Sequence, residues 1–382
     1  MNPPAIYIHV PWCRRRCPYC NFYIVVGKPH ELFAHTLIRE YEGRAHIWHQ
    51  GKAASLYFGG GTPSLLPPAQ IAYLIEYFIK HEALDPQAEI TLEANPEDIN
   101  YNYVTELKNS GVNRISLGTQ SFDNATLKLL GRKHSKNQAL EALDILQKNN
   151  FENISLDFII GVPKEDTKNL LQTLTMLHAQ GIKHFSTYLL TIEEKTNFHQ
   201  RISQGLLANP QEDEQVEIYR LVQECLKNLA YEQYDISSFA LPGFMSRHNQ
   251  VYWAGGSYIG LGPGAHSMRN LDNGGIERLH NRSELKSWLF KPLNKDNYEH
   301  DLLSNHEALN EALAFGLRNM QKGICPQALA SKHQCELPQN WDKIVRKLGD
   351  FGWLEEKTPG CLNISSYGAL FADAIMREIV CA

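Results

Sequence analysis

The stretch AIYIHVPWCRRRCPYC, residues 5–20, joins an apolar run, Ala5 to Val10, to a loop that carries Cys13, Cys17 and Cys20. A β-branched and aromatic run of that length reads as a buried strand. Five further cysteines, Cys225, Cys325, Cys335, Cys361 and Cys381, are scattered singly. A disulfide framework spreads its cysteines in pairs, and the N-terminus has no basic region, apolar run and cleavage site in order, so the expected setting is a reducing cytoplasm. Cofactor ligation explains the crowded three. The scattered five read as buried small hydrophobes or inert thiols, and the spacing of Cys325, Cys335 and Cys361 matches no metal site.

Three thiolates from one short loop can hold three corners of a [4Fe–4S] cubane and leave the fourth iron open for a substrate-like ligand, such as the amino and carboxylate groups of a methionine moiety. A structural zinc ion wants four closed ligands, and no second cysteine pair follows at the usual distance. His9 is the only nearby fourth ligand, and it falls within the strand.

Outward from this loop the same theme repeats. Ser55 to Gly60, Glu89 to Ala94, Arg114 to Gln120, Ile154 to Ile160 and His184 to Ile192 are further strand-like runs. Between them Ile71, Leu74, Ile75 and Phe78 share one helical face, as do Leu140, Leu143, Ile145 and Leu146 more loosely. Leu170, Leu174 and Leu177 mark a helix closed by Gly181, and Ser135 with Gln138 forms a capping box. Six strand–helix units predict a parallel α/β architecture, either a partial (β/α)6 TIM-like barrel or a doubly wound sheet. The runs end in polar or glycine residues, which suits a barrel whose C-terminal rim gathers one site. The expected divisions are a barrel over 1–235, a connecting segment over 236–300 and a smaller helical or winged-helix-like domain over 301–382. One helix, Glu214 to Ala230, ends the first part.

Hydrophobic residues make up 43% of the 382-residue chain, charged residues 21%, and the net charge is −5. That balance is ordinary for a globular protein, and no overall basic field invites nucleic acid or anionic lipid. No stretch approaches the ~20 apolar residues that span a bilayer.

The cysteine run resembles the CxxxCxxC motif of radical S-adenosylmethionine (SAM) proteins. Gly59-Gly-Gly-Thr-Pro-Ser64, Glu93-Ala-Asn-Pro96, Gly111 to Phe122, Asp157 to Pro163, Tyr188 to Glu193 and His248 to Trp253 extend the likeness over nearly the full length. Together they are similar to the branch of that family holding oxygen-independent coproporphyrinogen III oxidases and heme chaperones. The resemblance implies a radical SAM-type partial barrel, with Cys13, Cys17 and Cys20 on the cluster and S-adenosylmethionine beside it. It implies that Gly60, Gly61 and Thr62 contact the methionine part, and that Glu93, Gln120, Arg132 and Asp157 hold the cofactor further. Tyr7 is expected near the methionine end and Tyr19 beside the cluster. Each has a plainer reading: a glycine turn, a helix cap or a solvated charge would explain these residues singly.

Two features rank the relatives. The oxidases carry an extra cysteine two residues after the third, where this chain has Phe22, and an N-terminal extension that this chain, reaching Cys13 almost at once, is expected to lack. His248-Asn-Gln-Val-Tyr-Trp253 resembles the HNxxYW heme-binding motif of the chaperones, since imidazole ligates heme iron and flanking rings offer flat faces. A lone histidine beside aromatics is otherwise more often a packed core residue. His266 is a second, lower-ranked candidate. The expectation is a heme-binding chaperone that passes heme to acceptor hemoproteins. The alternative is radical decarboxylation of coproporphyrinogen III. A homodimer and peripheral contact with membrane hemoproteins stay open.

Overall fold

The computed structural model describes residues 3–48 and 51–380; Cys381 lies outside the described residues. The main sheet contains β1 (Ala5–Val10), β2 (Ala53–Gly60), β3 (Leu84–Ala94), β4 (Arg114–Gln120), β5 (Asn153–Ile160) and β6 (His184–Leu189). These pair in chain order and all in parallel. The antiparallel β7 (Glu232–Gln233) and β8 (Ser238–Ala240) extend the β6 edge. On the other edge β9 (Tyr258–Leu261) pairs in parallel with β1, followed by the antiparallel β10 (His266–Asn270), β11 (Ile276–Asn281) and β12 (Tyr298–Leu303). The described strand order does not close on itself, so the barrel is partial, as expected. The added finding is a seventh parallel strand, β9, and three more beyond it. Residues 236–300 thus continue the sheet.

Alternation along the strands explains why the sheet curls around a site. Side chains in a strand alternate faces. Ile6, Ile8, Leu56, Phe58, Leu92, Leu117, Leu156 and Phe158 are buried and belong to one apolar core. Helices Pro68–Lys80, Lys136–Lys148 and Thr167–Ala179 bring their own apolar stripes to that core. The intervening positions, Tyr7, Tyr57, Glu93, Ser116 and Asp157, are polar, and Tyr7, Glu93, Ser116 and Asp157 line cavities on the concave side. Parallel strands covered on both faces usually read as continuous apolar runs. The polar inner row marks this lumen as a binding space.

Beyond the sheet come helices Asn305–Gly316, Pro326–Lys332 and Trp341–Asp350, the hairpin Leu354–Thr358 with Cys361–Ile364, and helix Ala372–Val380. Ser304 and Glu307 form a capping box at the first of these helices, which fixes its start by satisfying two orphan N–H groups. Cys325 and Cys361 are joined as a disulfide, which corrects the reading of both as unpaired thiols. The three-dimensional approach of the 36-residue-separated pair is set by the hairpin, where Ile324 bridges Leu362, and no local spacing announces it.

Candidate cofactor site

A cavity of about 560 Å³ opens at the C-terminal ends of the parallel strands. Cys13, Cys17, Cys20, Tyr19, Gly60, Gly61, Thr62, Glu93, Gln120, Arg132 and Asp157 all line it. Eleven residues expected from separate segments of the chain therefore meet in one place, with Asn95 and Tyr188 beside them.

The cysteine loop is held from several directions. Val25 donates its N–H to Pro11 O at 2.7 Å and Gly27 to Cys13 O at 3.0 Å. Arg14 donates to Asp98 through Nε at 3.0 Å and a terminal nitrogen at 2.5 Å. Asp98 also accepts from Ser64 Oγ at 2.7 Å. Arg16 turns back to the carbonyls of Phe22 and Ile24, each at 3.3 Å. Arg14 and Arg16 thus fasten the loop, and Arg15 approaches Glu97 at 3.7 Å; sequence reasoning missed the roles of Arg14 and Arg15 because their partners lie more than 80 residues along the chain. Cys13 Sγ accepts from Thr62 Oγ1 at 3.3 Å.

The glycine turn after β2 runs directly beneath this loop. Gly61 N donates to Val10 O and Thr62 N to Trp12 O, both at 2.8 Å. A Cβ on Gly61 would lie 2.7 Å from Trp12 O, and one on Gly60 2.6 Å from the His9 ring. Gly60 also has φ +106°, a conformation that favours glycine. The glycines are needed for close backbone approach, and with it a ligand can reach backbone polar groups.

Charge is arranged around the opposite wall. Glu93 accepts from Tyr57 OH at 2.9 Å; burial pushes its carboxyl up to about 7, aided by the neighbouring Asp157 and opposed by the Tyr57 hydrogen bond. Asp157 is raised by burial too, against hydrogen bonds from Ser116 and Ser155. Arg132 donates to Gly118 O at 2.9 Å and to Asn95 Oδ1, approaches Cys17 Sγ at 3.8 Å, and leaves Nε buried without a partner among the described residues. Gln120 holds φ +63°, a left-handed backbone that is rare outside glycine and collects at ligand sites. The Tyr19 ring meets Phe198 edge-on.

A cluster fits these donors where a single ion does not. Among the described residues no three His, Cys, Asp or Glu side chains converge as one metal ion requires, while three half-buried free thiols face one cavity. A cubane spreads its thiolate ligands over separate corners. His9 is no fourth zinc ligand, since its Nε2 engages Tyr23 O at 3.1 Å and its Nδ1 faces Tyr7 OH at 3.3 Å.

Tyr7 is on the wall of a second cavity of about 880 Å³, beside Gly60 and Glu93, which with Asn21 and Phe22 line both cavities. His248 lines neither. It is 1% exposed, with Nδ1 on Ser55 Oγ at 2.9 Å and Nε2 on Tyr252 OH at 2.8 Å. Its ring stacks on Tyr57 at 4.9 Å, and burial depresses its pKa to about 3, with Arg114 adding to the effect. Of the HNxxYW stretch, Tyr252 and Trp253 face the second cavity.

The radical SAM superfamily model matches residues 7–190. A Synechocystis protein named heme chaperone HemW is 36% identical over 368 residues, covering 93% of this chain and 87% of its own length. The chain belongs to the HemW family of the radical SAM superfamily. A Lactococcus lactis protein of the same name is 31% identical over 91% of this chain and 89% of its own. A mouse relative, radical S-adenosyl methionine domain-containing protein 1, mitochondrial, is 34% identical, covering 82% and 73%. Coproporphyrinogen III oxidase HemN of Escherichia coli superposes with a TM-score of 0.81 at 20% identity, over 99% of this chain and 90% of that one. At that identity the likeness is one of fold. Membership of the superfamily brings a [4Fe–4S] cluster and S-adenosylmethionine, the two groups that the cysteine loop and the glycine turn suit.

Proposed function

We propose that the protein is a heme chaperone, which binds heme and passes it to acceptor hemoproteins while the cluster and S-adenosylmethionine support or gate the transfer. The observation that carries this reading is the 36% identity, over 93% of the chain, to a protein named heme chaperone HemW. In it Cys13, Cys17 and Cys20 hold the cluster, with Tyr19 beside it. Gly60, Gly61 and Thr62 present backbone groups to the methionine part, and the Glu93 carboxylate takes its ammonium. Gln120, Arg132 and Asp157 complete the pocket, and Tyr7 stands at the methionine end. A cluster held there, once reduced by an external electron donor, would supply the electron for reductive cleavage of the sulfonium.

The reading assigns residues 1–235 to these cofactors, 236–300 with its HNxxYW stretch to heme, and 301–382 to a smaller helical or winged-helix-like domain. It takes in a cytoplasmic location, a homodimer, and acceptors that include membrane hemoproteins. No described helix is long and apolar enough to cross a membrane, so contact with such acceptors would be peripheral.

The test is transfer. Hemin-loaded protein mixed with an apo-hemoprotein should lose its heme to the acceptor. Anaerobic protein given coproporphyrinogen III, S-adenosylmethionine and a reductant should leave the propionates intact. Decarboxylation would replace this reading with the oxidase.

A further inference from the structure

Heme needs an exposed iron ligand, a flat apolar seat and a partner for its propionates. His248 offers none of these as placed, since both ring nitrogens are engaged and Tyr252 stands between it and the cavity wall it would have to reach.

The second cavity has all three. Its volume of about 880 Å³ falls in the roughly 300–1,000 Å³ range of cofactor sites. Its walls include the rings of Tyr252, Trp253, Tyr258 and Phe315. On the hairpin of β10 and β11, His266 stands directly opposite His280. Their rings stack in parallel at 4.0 Å and 5°, so the second imidazole pins the first. Neither ring makes a hydrogen bond among the described residues, and His266 is exposed into the cavity. Its ring nitrogens are therefore open to the cavity, where an imidazole lone pair can meet a metal. Lys332 stands on the same wall, where its Nζ donates to the Gly255 carbonyl at 3.3 Å and, among the described residues, pairs with no carboxylate. Arg278, by contrast, is already paired with Glu311.

Resting on the heme-chaperone reading, we propose that this second cavity is the heme seat, with His266 as the axial ligand of the iron and Lys332 as the partner of a propionate. Aromatic walls take the macrocycle faces, an open imidazole takes the iron, and a cation without a carboxylate partner among the described residues takes a propionate. The seat adjoins the cofactor cavity through Phe22 and Glu93, which sets a bound tetrapyrrole next to the cluster loop.

The experiment is hemin titration of the full-length anaerobic protein, read as difference spectra against the hemin-free sample. His266→Ala should weaken hemin binding about tenfold or more and move the Soret band. Imidazole added to His266→Gly should restore the wild-type band, a rescue that a merely structural role would not give. Lys332→Glu should weaken binding several-fold without moving the band. Wild-type protein that binds no hemin would sink the chaperone reading and the seat with it. Hemin bound by the wild type with the same affinity and spectrum in His266→Ala would overturn the seat alone.

Discussion

Arg14 and Asp98, 84 residues apart in the chain, meet through two hydrogen bonds from one guanidinium to one carboxylate oxygen. The Asp98 side chain is almost fully buried while Arg14 is largely exposed, so the aspartate is the anchor. Asp98→Ala removes the acceptor of both Arg14 and Ser64. It should lower stability by about 1–3 kcal/mol and reduce iron retained after anaerobic reconstitution, measured by iron and sulfide analysis. Arg14→Ala should do less, because Asp98 keeps its bond from Ser64.

Replacing Cys13, Cys17 and Cys20 together by alanine should abolish iron and sulfide incorporation under oxygen-free conditions. Iron equal to the wild type would disprove the ligand assignment. Cys225→Ser and Cys335→Ser should leave iron content unchanged, since neither lies in the cavity wall.

Glu93 sets a pH dependence on cofactor binding. Its carboxyl, raised to about 7 mainly by burial, is largely protonated below that pH in the free protein. A cationic ammonium beside it favours the carboxylate, so S-adenosylmethionine should bind more tightly as pH rises through 7, with proton release on binding below it. Calorimetry in buffers of different ionisation enthalpy measures that release. Glu93→Gln should bind weakly and without this dependence; a wild-type affinity flat across pH 6–8 (about one unit on either side) would refute the role.

Gly61→Ala drives a Cβ to within 2.8 Å of the Val10 and Trp12 carbonyls. The backbone there must shift, and thermal unfolding of the apo-protein should show a loss of about 1–3 kcal/mol, with impaired S-adenosylmethionine binding. Gly349→Ala is the contrast. It sits inside helix Trp341–Asp350 with open space around its Cβ, and it should gain roughly 0.5–1 kcal/mol.

His248 should behave as a core residue. Its folded pKa is depressed to about 3, below the unfolded value of about 6.5. The stability linked to its neutral ring is full above pH 6.5 and drains away as pH falls toward 3. His248→Ala leaves Ser55 and Tyr252 without their partner and should cost about 2–4 kcal/mol. Urea unfolding at several pH values tests both the size and the slope.

Much of this was legible in the sequence for a physical reason. The six parallel strands carry apolar residues on alternate positions and polar ones between, so both the runs and their functional ends stand out. Glu93, Gln120 and Asp157 could be read as one rim because each is a polar residue within or at the end of an apolar run, Gln120 closing its strand, Glu93 next to last in its own and Asp157 in the middle of β5. β9 was hidden: it is four residues long, flanked by glycines, and its partner β1 lies some 250 residues earlier in the pairing of Ala5 with Tyr258. β12 is exposed along most of its length, leaving little apolar signal. The His266–His280 pair exists only through hairpin register, and the disulfide only through tertiary packing. His248 was the reverse case, a residue whose motif invited a ligand role while its surroundings use both of its nitrogens.

Phe22, 70% exposed, belongs to the walls of both cavities. If an occupant of one chamber displaces that ring, the other chamber's wall changes with it, and whatever factor this imposes on the neighbour's affinity is returned undiminished in the opposite direction.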